Sequence, residues 1–147
     1  MNRRNFIQAA AVALSMTLAM VAAAQTAPAI ATTSKAKLVL QVSDGEPGKW
    51  ALALNNAKNV QAEIGAGQVD IEIVAYGPGL GMLKADALIS NRVTEAVQSG
   101  IRVVACENTM TVQKLTKADM HPAASYAPSG VVQIMTRQSE GWAYVRP

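Results

Sequence analysis

From residue 37 onward, short apolar runs alternate with longer stretches whose apolar residues return every three or four positions. The run 37–42 (KLVLQV) is too short for a helix and ends in SDGEPGK, where two Gly and a Pro break it. It predicts a buried strand and a loop. Over 50–64, Trp50, Ala53, Leu54, Ala57, Val60 and Ile64 make one helical stripe. Asn55, Lys58, Asn59 and Glu63 fall mainly opposite, and Gly65 sits at the stop position. Residues 69–76 (VDIEIVAY) alternate and then turn apolar, as a strand does, and 77–81 (GPGLG) reads as a loop. A helix is expected from about 88 to 99, burying Leu88 or Ile89, Arg92 or Val93, and Ala96 or Val97, with Gly100 ending it. Residues 101–106 (IRVVAC) predict a third strand and TMTVQKLT a short helix, and TKAD at 116–119 matches a capping box. A short fourth strand is expected within AASYA, between Pro122 and Pro128. Over 129–141 the length and end signals favour a helix capped by Ser129, with Val131, Ile134, Met135 and Gln138 on one face. The alternative there is a strand, because Val131, Val132 and Ile134 prefer β structure. WAYVR at 142–146 predicts a last strand.

This alternation implies an α/β domain over 37–147: a small flavodoxin-like three-layer fold, with a mostly parallel sheet of four to five strands and helices on both faces. In such sheets ligands bind outside the carboxyl ends of the strands. The first three strands end in Ser43-Asp44-Gly45, in Gly77-Pro78-Gly79-Leu80-Gly81 and in Cys106-Glu107-Asn108-Thr109. A parallel sheet puts all three loops on one rim.

The N-terminus has a different pattern. Arg3 and Arg4 precede an Ala-rich apolar run that closes in Ala22-Ala23-Ala24 before Gln25. This is the arrangement of a cleaved export signal over residues 1–24, and NRRNFIQ matches the twin-arginine type. The run is short of the ~20 apolar residues that span a bilayer. The expectation is therefore a periplasmic protein with no stable membrane insertion after cleavage. Residues 25–36 (QTAPAIATTSKA) have no periodicity and read as a flexible lead-in. Charge changes the picture little. Of 13 Lys+Arg, Arg3 and Arg4 leave with the signal, so 11 stand against 10 Asp+Glu. There is no basic run, which argues against nucleic acid as a partner.

Cys106 is the only cysteine. It cannot form an internal disulfide, so the domain depends on a conventional core, and a lone thiol in an oxidising compartment is a candidate for reactivity or intermolecular pairing. It follows a strand and precedes a helix start that Asn108 or Thr109 can cap. A helix N-terminus favours thiolate, the nucleophilic form. Glu107 opposes this unless it points elsewhere. The competing reading is a small buried core residue. The glycine loop lacks dinucleotide or phosphate-loop spacing, and Pro78 removes a backbone donor, so it reads as a tight turn or as the wall of a small pocket. His121, the only histidine, reads as a surface loop residue. Cys106, Met110 and His121 have no convincing copper-site spacing. Neither a paired-carboxylate nor a Ser-His-Asp arrangement is present. No metal or cofactor is expected.

The segments KLVLQVSDGEPGKWALALNNAKNVQAEIG, VDIEIVAYGPGLGML, GIRVVACENTM and SGVVQIMTRQSEGWAYVRP resemble exported members of the DsrE/DsrF-like family. NNAKN, VAYGPGL, the cysteine followed by xNTM, and the closing RQxEGWAYxRP carry the resemblance most specifically. It implies a flavodoxin-like fold, often as a homo-oligomer (trimer or hexamer). It also implies sulfur carriage on a cysteine, here Cys106, with a sulfur donor or acceptor protein or a small sulfur compound as partner. Asn108, Thr109 and Met110 match the surrounding motif. Gly77, Gly79, Ser43 and Asp44 are expected to shape the mouth of the site. On this reading the chain is a periplasmic sulfur carrier, or a sulfurtransferase-like enzyme, that presents the thiol to solvent and holds sulfane sulfur on it as a persulfide. The alternative is a non-catalytic oligomeric binding module with Cys106 in the core. A redox-sensing thiol is a third reading.

Overall fold

The computed structural model describes residues 34–147. The expected export signal and the lead-in up to residue 33 lie outside the described residues. Five strands form one sheet: β1 Ala36–Val42, β2 Val69–Ala75, β3 Arg102–Cys106, β4 Ser125–Ala127 and β5 Ala143–Val145. Their order is β4-β3-β2-β1-β5, and every pairing is parallel. Four helices connect them: α1 Pro47–Ile64, α2 Ser90–Gln98, α3 Glu107–Val112 and α4 Gly130–Ser139. This is the flavodoxin-like three-layer arrangement.

The sheet divides the core into two layers because side chains alternate across it. Leu38, Leu40, Val42, Ile71, Ile73, Ala75, Val103 and Ala105 point to one face, where Ala53, Leu54 and Ala57 of α1 and Val93 and Ala96 of α2 cover them. Val39, Val74 and Val104 point to the other face and pack with Ala127, Ile134 of α4 and Trp142. Leu40 and Ile73 are register partners in adjacent strands and fully buried, each contributing about 1.5–3 kcal/mol from apolar burial.

Handedness decides which face each helix takes. Crossovers between parallel strands are right-handed. The steps from β1 to β2 to β3 to β4 all move the same way across the sheet, so their connections lie on one face, where α1, α2 and Met110 of α3 are found. The step from β4 to β5 runs back to the far side of β1. It keeps its hand only if α4 crosses the opposite face, where Ile134 packs.

Local structure departs from the sequence pattern in identifiable places. The helix after β1 begins at Pro47, whose fixed φ suits the first helical turn. The expected loop at 77–81 is instead a 3-10 helix, Gly77–Leu83, anchored by buried Leu80, Met82 and Leu83. Leu88 is 93% exposed, and α2 starts at Ser90 with Ile89 packing inward instead. Ser129 accepts from the Val132 N–H as an N-cap, and Thr116 and Asp119 form the expected capping box. Of the apolar face expected on α4, only Ile134 is buried, while Val131 and Met135 are exposed. No described helix is long and apolar enough to cross a membrane.

Candidate functional site

Cys106 ends β3, and α3 begins at the next residue. Cys106 therefore occupies the N-cap position itself, and the expectation that Asn108 or Thr109 caps this helix is corrected. Strand passes directly into helix because Cys106 keeps extended angles (φ −79°, ψ 114°). The neighbouring exit is that of β4, where Pro128, Ser129 and then α4 follow. The Asn108 N–H donates to the Pro128 carbonyl at 3.1 Å and ties the two exits together. From here α3 turns to one face of the sheet and α4 to the other. Adjacent strands whose exits diverge leave a crevice at their carboxyl ends, which is where ligands bind in open α/β sheets. Cys106 lies at that divergence.

The residue is only 4% exposed, so the thiol is not presented to solvent as the sequence reading expects. Its surroundings are nevertheless polar. The sulfur makes no close N-cap bond within α3. The Thr109 hydroxyl and the N–H groups of Thr109, Gly130 and Asn108 favour the thiolate from nearby, although the Asn108 N–H is itself bonded to Pro128. Burial pushes the thiol's proton affinity up. These four donors outweigh it and hold the thiol below its ordinary value. The starts of α3 and α4 thus both lie near one sulfur. Glu107 does not oppose them, because its carboxylate points to Lys117 Nζ at 3.5 Å.

Thr109 connects the thiol to the glycine segment. The Gly77 N–H donates to Thr109 Oγ1 at 3.0 Å, and Gln113 Nε2 donates to the Gly77 carbonyl at 3.1 Å. Gly77 has φ +53°, a conformation that glycine adopts without strain. Beside these residues lies an open hollow of about 380 Å³, lined by Gly77, Pro78, Asn108, Thr109, Val112 and Gln113. No charged side chain lines it.

Four of the expected site residues therefore converge: Cys106, Asn108, Thr109 and Gly77. The other three serve different ends. Gly79 is buried against β1, and a Cβ there would lie 2.2 Å from the Val42 carbonyl oxygen. Its N–H bonds to the Ser43 and Tyr76 carbonyls, so the structure uses it for close packing. Ser43 Oγ accepts from Gln41 Nε2 at 3.1 Å. Asp44 pairs with Arg146 at 3.2 Å, and its carbonyl accepts from Trp50 Nε1 at 2.6 Å. The Asp44 contacts bind the end of β1 to Arg146, just after β5, and to α1.

Two features escape the sequence pattern. His121 is buried, not on the surface. Its Nδ1 accepts from the Ala123 N–H at 3.2 Å, which leaves Nε2–H to donate to Thr94 Oγ1 at 2.9 Å. Glu72, in the middle of β2, is 1% exposed and carries a charge cluster. It accepts from Gln133 Nε2 at 2.6 Å and from Arg137 Nε at 3.0 and 3.1 Å. Arg102 Nη2 and Arg137 Nη2 reach it at 2.8 and 3.0 Å. Both guanidiniums also lie over the Trp142 ring, at 5.7 and 5.0 Å from its centroid. The alternation in VDIEIVAY places Glu72 among outward polar positions. Gln133 and Arg137, one turn apart on α4, are the signal that a buried acid faces them. Among the described residues, no group of three or more His, Cys, Asp or Glu is arranged to hold a metal.

Comparison with known proteins gives a family and a structural relative. The model of the DsrE/DsrF-like family matches residues 8–147. A solved structure from Methanobacterium thermoautotrophicum, described as a protein of unknown function, is similar at 33% identity with a TM-score of 0.74. The match covers 77% of this chain and 100% of that one. No curated protein matches.

Proposed function

The chain belongs to the DsrE/DsrF-like family, which associates it with sulfur relay, and from that premise we propose that Cys106 carries sulfane sulfur as a persulfide. The observation that carries this reading is the placement of Cys106 at the end of β3, directly before α3 and in register with Ala127 just ahead of α4, where nearby hydroxyl and N–H dipoles favour an anion on sulfur. Such dipoles stabilise that anion, whether thiolate or persulfide.

The chemistry needs no further oxidant. The Cys106 thiolate attacks the outer sulfur of a donor R–S–SH. A new S–S bond forms at Cys106, the donor S–S bond breaks, and R–S⁻ leaves while the proton stays on the transferred sulfur. That proton is then lost to solvent or to the leaving thiolate. For transfer, the outer sulfur takes a proton back from solvent; an acceptor thiolate then attacks it, forms the new S–S bond, and releases the Cys106 thiolate. On this reading the hollow beside Thr109 is the approach for donor and acceptor; Cys106 does not line it, so Thr109, which does, is the side chain that must give way. Export to the periplasm and assembly as a trimer or hexamer belong to the same proposal. They rest on the N-terminal sequence and on the family resemblance.

The test is cyanolysis. Reduced protein is incubated with polysulfide, desalted and treated with cyanide. Wild type should release about one thiocyanate per chain and Cys106→Ser none. Equal release from both proteins defeats the proposal.

A second reading has one observation in its favour. At 4% exposure, Cys106 also fits a non-catalytic binding module in which the thiol is core. Iodoacetamide separates the two. A thiol that reacts in the native state at neutral pH supports sulfur carriage, and one that reacts only after unfolding supports the module.

A further inference from the structure

The first turn of α4 is held in place by an aromatic ring. A Cβ added at Gly130 would lie 3.0, 3.1 and 3.2 Å from Tyr76 Cβ, Cδ1 and Cγ. The ring therefore lies directly on the backbone of residue 130, and there is no room for a side chain between them. Glycine stands here for close approach and not for unusual dihedral angles. The start of α4 lies beside Cys106, because Cys106 pairs in register with Ala127 and the Asn108 N–H donates to the Pro128 carbonyl at 3.1 Å.

Tyr76 is fixed from below. Its N–H donates to the Val42 carbonyl at 3.1 Å, and its ring packs against the core layer that includes Val74, Ala127 and Ile134. Its hydroxyl is directed elsewhere, toward Ser43. Further along the same helix, Gln133 and Arg137 grip Glu72. Strand β2 and the residue that follows it thus hold α4 at two levels. Glu72 fixes the middle of the helix and Tyr76 fixes its first residue. The helix is 10 residues long and capped by Ser129, so its start carries an appreciable positive partial charge.

We propose that Tyr76 is a positioning residue for Cys106: its ring, packed on Gly130, sets how closely the α4 N-terminus approaches the sulfur, and glycine at 130 permits that approach. The inference rests on the reading that Cys106 works as a thiolate. The charged groups nearby do not compete for this role. Glu107 is paired with Lys117, and Asp44 with Arg146 at the hydroxyl end of Tyr76. The Thr109 hydroxyl and the N–H groups of Thr109, Gly130 and Asn108 are the main groups that favour the thiolate.

Titration of the full-length chain labelled at cysteine Cβ with carbon-13 tests this by NMR. One cysteine gives one signal, and the readout needs neither solvent access to the thiol nor sulfur loading. Gly130→Ala and Tyr76→Leu should both move the Cys106 midpoint upward. Tyr76→Phe, which keeps the ring and loses the hydroxyl, should retain the wild-type midpoint. Circular dichroism establishes which variants fold, and if Gly130→Ala does not, the contrast between Tyr76→Leu and Tyr76→Phe decides. A wild-type midpoint at the ordinary thiol value would overturn the underlying thiolate reading. A low wild-type midpoint that stays put in folded Gly130→Ala or Tyr76→Leu would overturn the positioning role alone.

Discussion

Replacing Glu72 with Gln keeps the shape of the side chain and removes its charge. The wild-type carboxylate receives Gln133, Arg137 and Arg102 while 1% exposed. In the variant one of the two oxygens becomes an NH₂ group facing donors. Removing one partner of a buried ion pair costs about 3–5 kcal/mol, because the remaining charge is left uncompensated. Two features place this case at the lower end. The Arg102 side chain is 51% exposed and can rehydrate, so its share is below about 1 kcal/mol. Arg137 is 19% exposed and keeps Glu140 at 2.8 Å. The expected loss is about 3 kcal/mol, or roughly 12 °C in Tm for a domain of this size. Urea unfolding at neutral pH, followed by circular dichroism and tryptophan fluorescence, measures it. Arg102→Gln in the same assay should cost no more than about 1 kcal/mol. A Glu72→Gln loss within about 0.5 kcal/mol, or one matched by Arg102→Gln, would refute the idea that Glu72 is the buried anchor of α4.

Further predictions concern the thiol and the glycine segment. The folded Cys106 thiol lies below its ordinary value, so the native state gives up this proton before the unfolded state does. The resulting stabilisation is fully present above the unfolded thiol's pKa and is lost as pH falls through the folded one. Denaturation of reduced wild type and Cys106→Ser across that window should show their difference growing in favour of wild type as pH rises; a difference that is flat with pH contradicts this. Thr109→Val keeps the shape and removes a donor, so it should raise the Cys106 midpoint while leaving secondary structure unchanged, as titration and circular dichroism will show. Gly79→Ala places a methyl 2.2 Å from the Val42 carbonyl oxygen, which only backbone movement can relieve. It should cost more than about 3 kcal/mol in urea unfolding or prevent folding, and a variant as stable as wild type contradicts the packing role.

The sheet was legible because its strands are short apolar runs between clear breaks. KLVLQV, VDIEIVAY and IRVVAC map onto β1, β2 and β3 within a residue or two of their ends. The parallel arrangement followed from the alternation with helices. The site was legible in part. A rule about strand ends brought Cys106, Asn108, Thr109 and Gly77 together, but the same rule included Ser43, Asp44 and Gly79, whose partners include Gln41 and Val42 of β1, Trp50 of α1 and Arg146. Spacing cannot distinguish a glycine that lines a hollow from one that lets two backbones touch. The polar work of α4 was hidden for another reason. Its sheet-facing side carries Gly130, Gln133 and Arg137 beside Ile134, so a search for an apolar stripe selected Val131 and Met135, which are exposed. Glu72 was hidden in the same way, since alternation cannot tell a solvated acid from one buried under a helix that supplies its partners.

Whether the sulfur of Cys106 takes up a second sulfur atom is read most directly by mass. Reduced protein is incubated with polysulfide, measured intact, and then digested to locate any gain. The account predicts the added mass of one sulfur atom, confined to the peptide containing Cys106, reversed by dithiothreitol and absent from Cys106→Ser. A wild-type protein that folds normally and shows no gain in mass contradicts it.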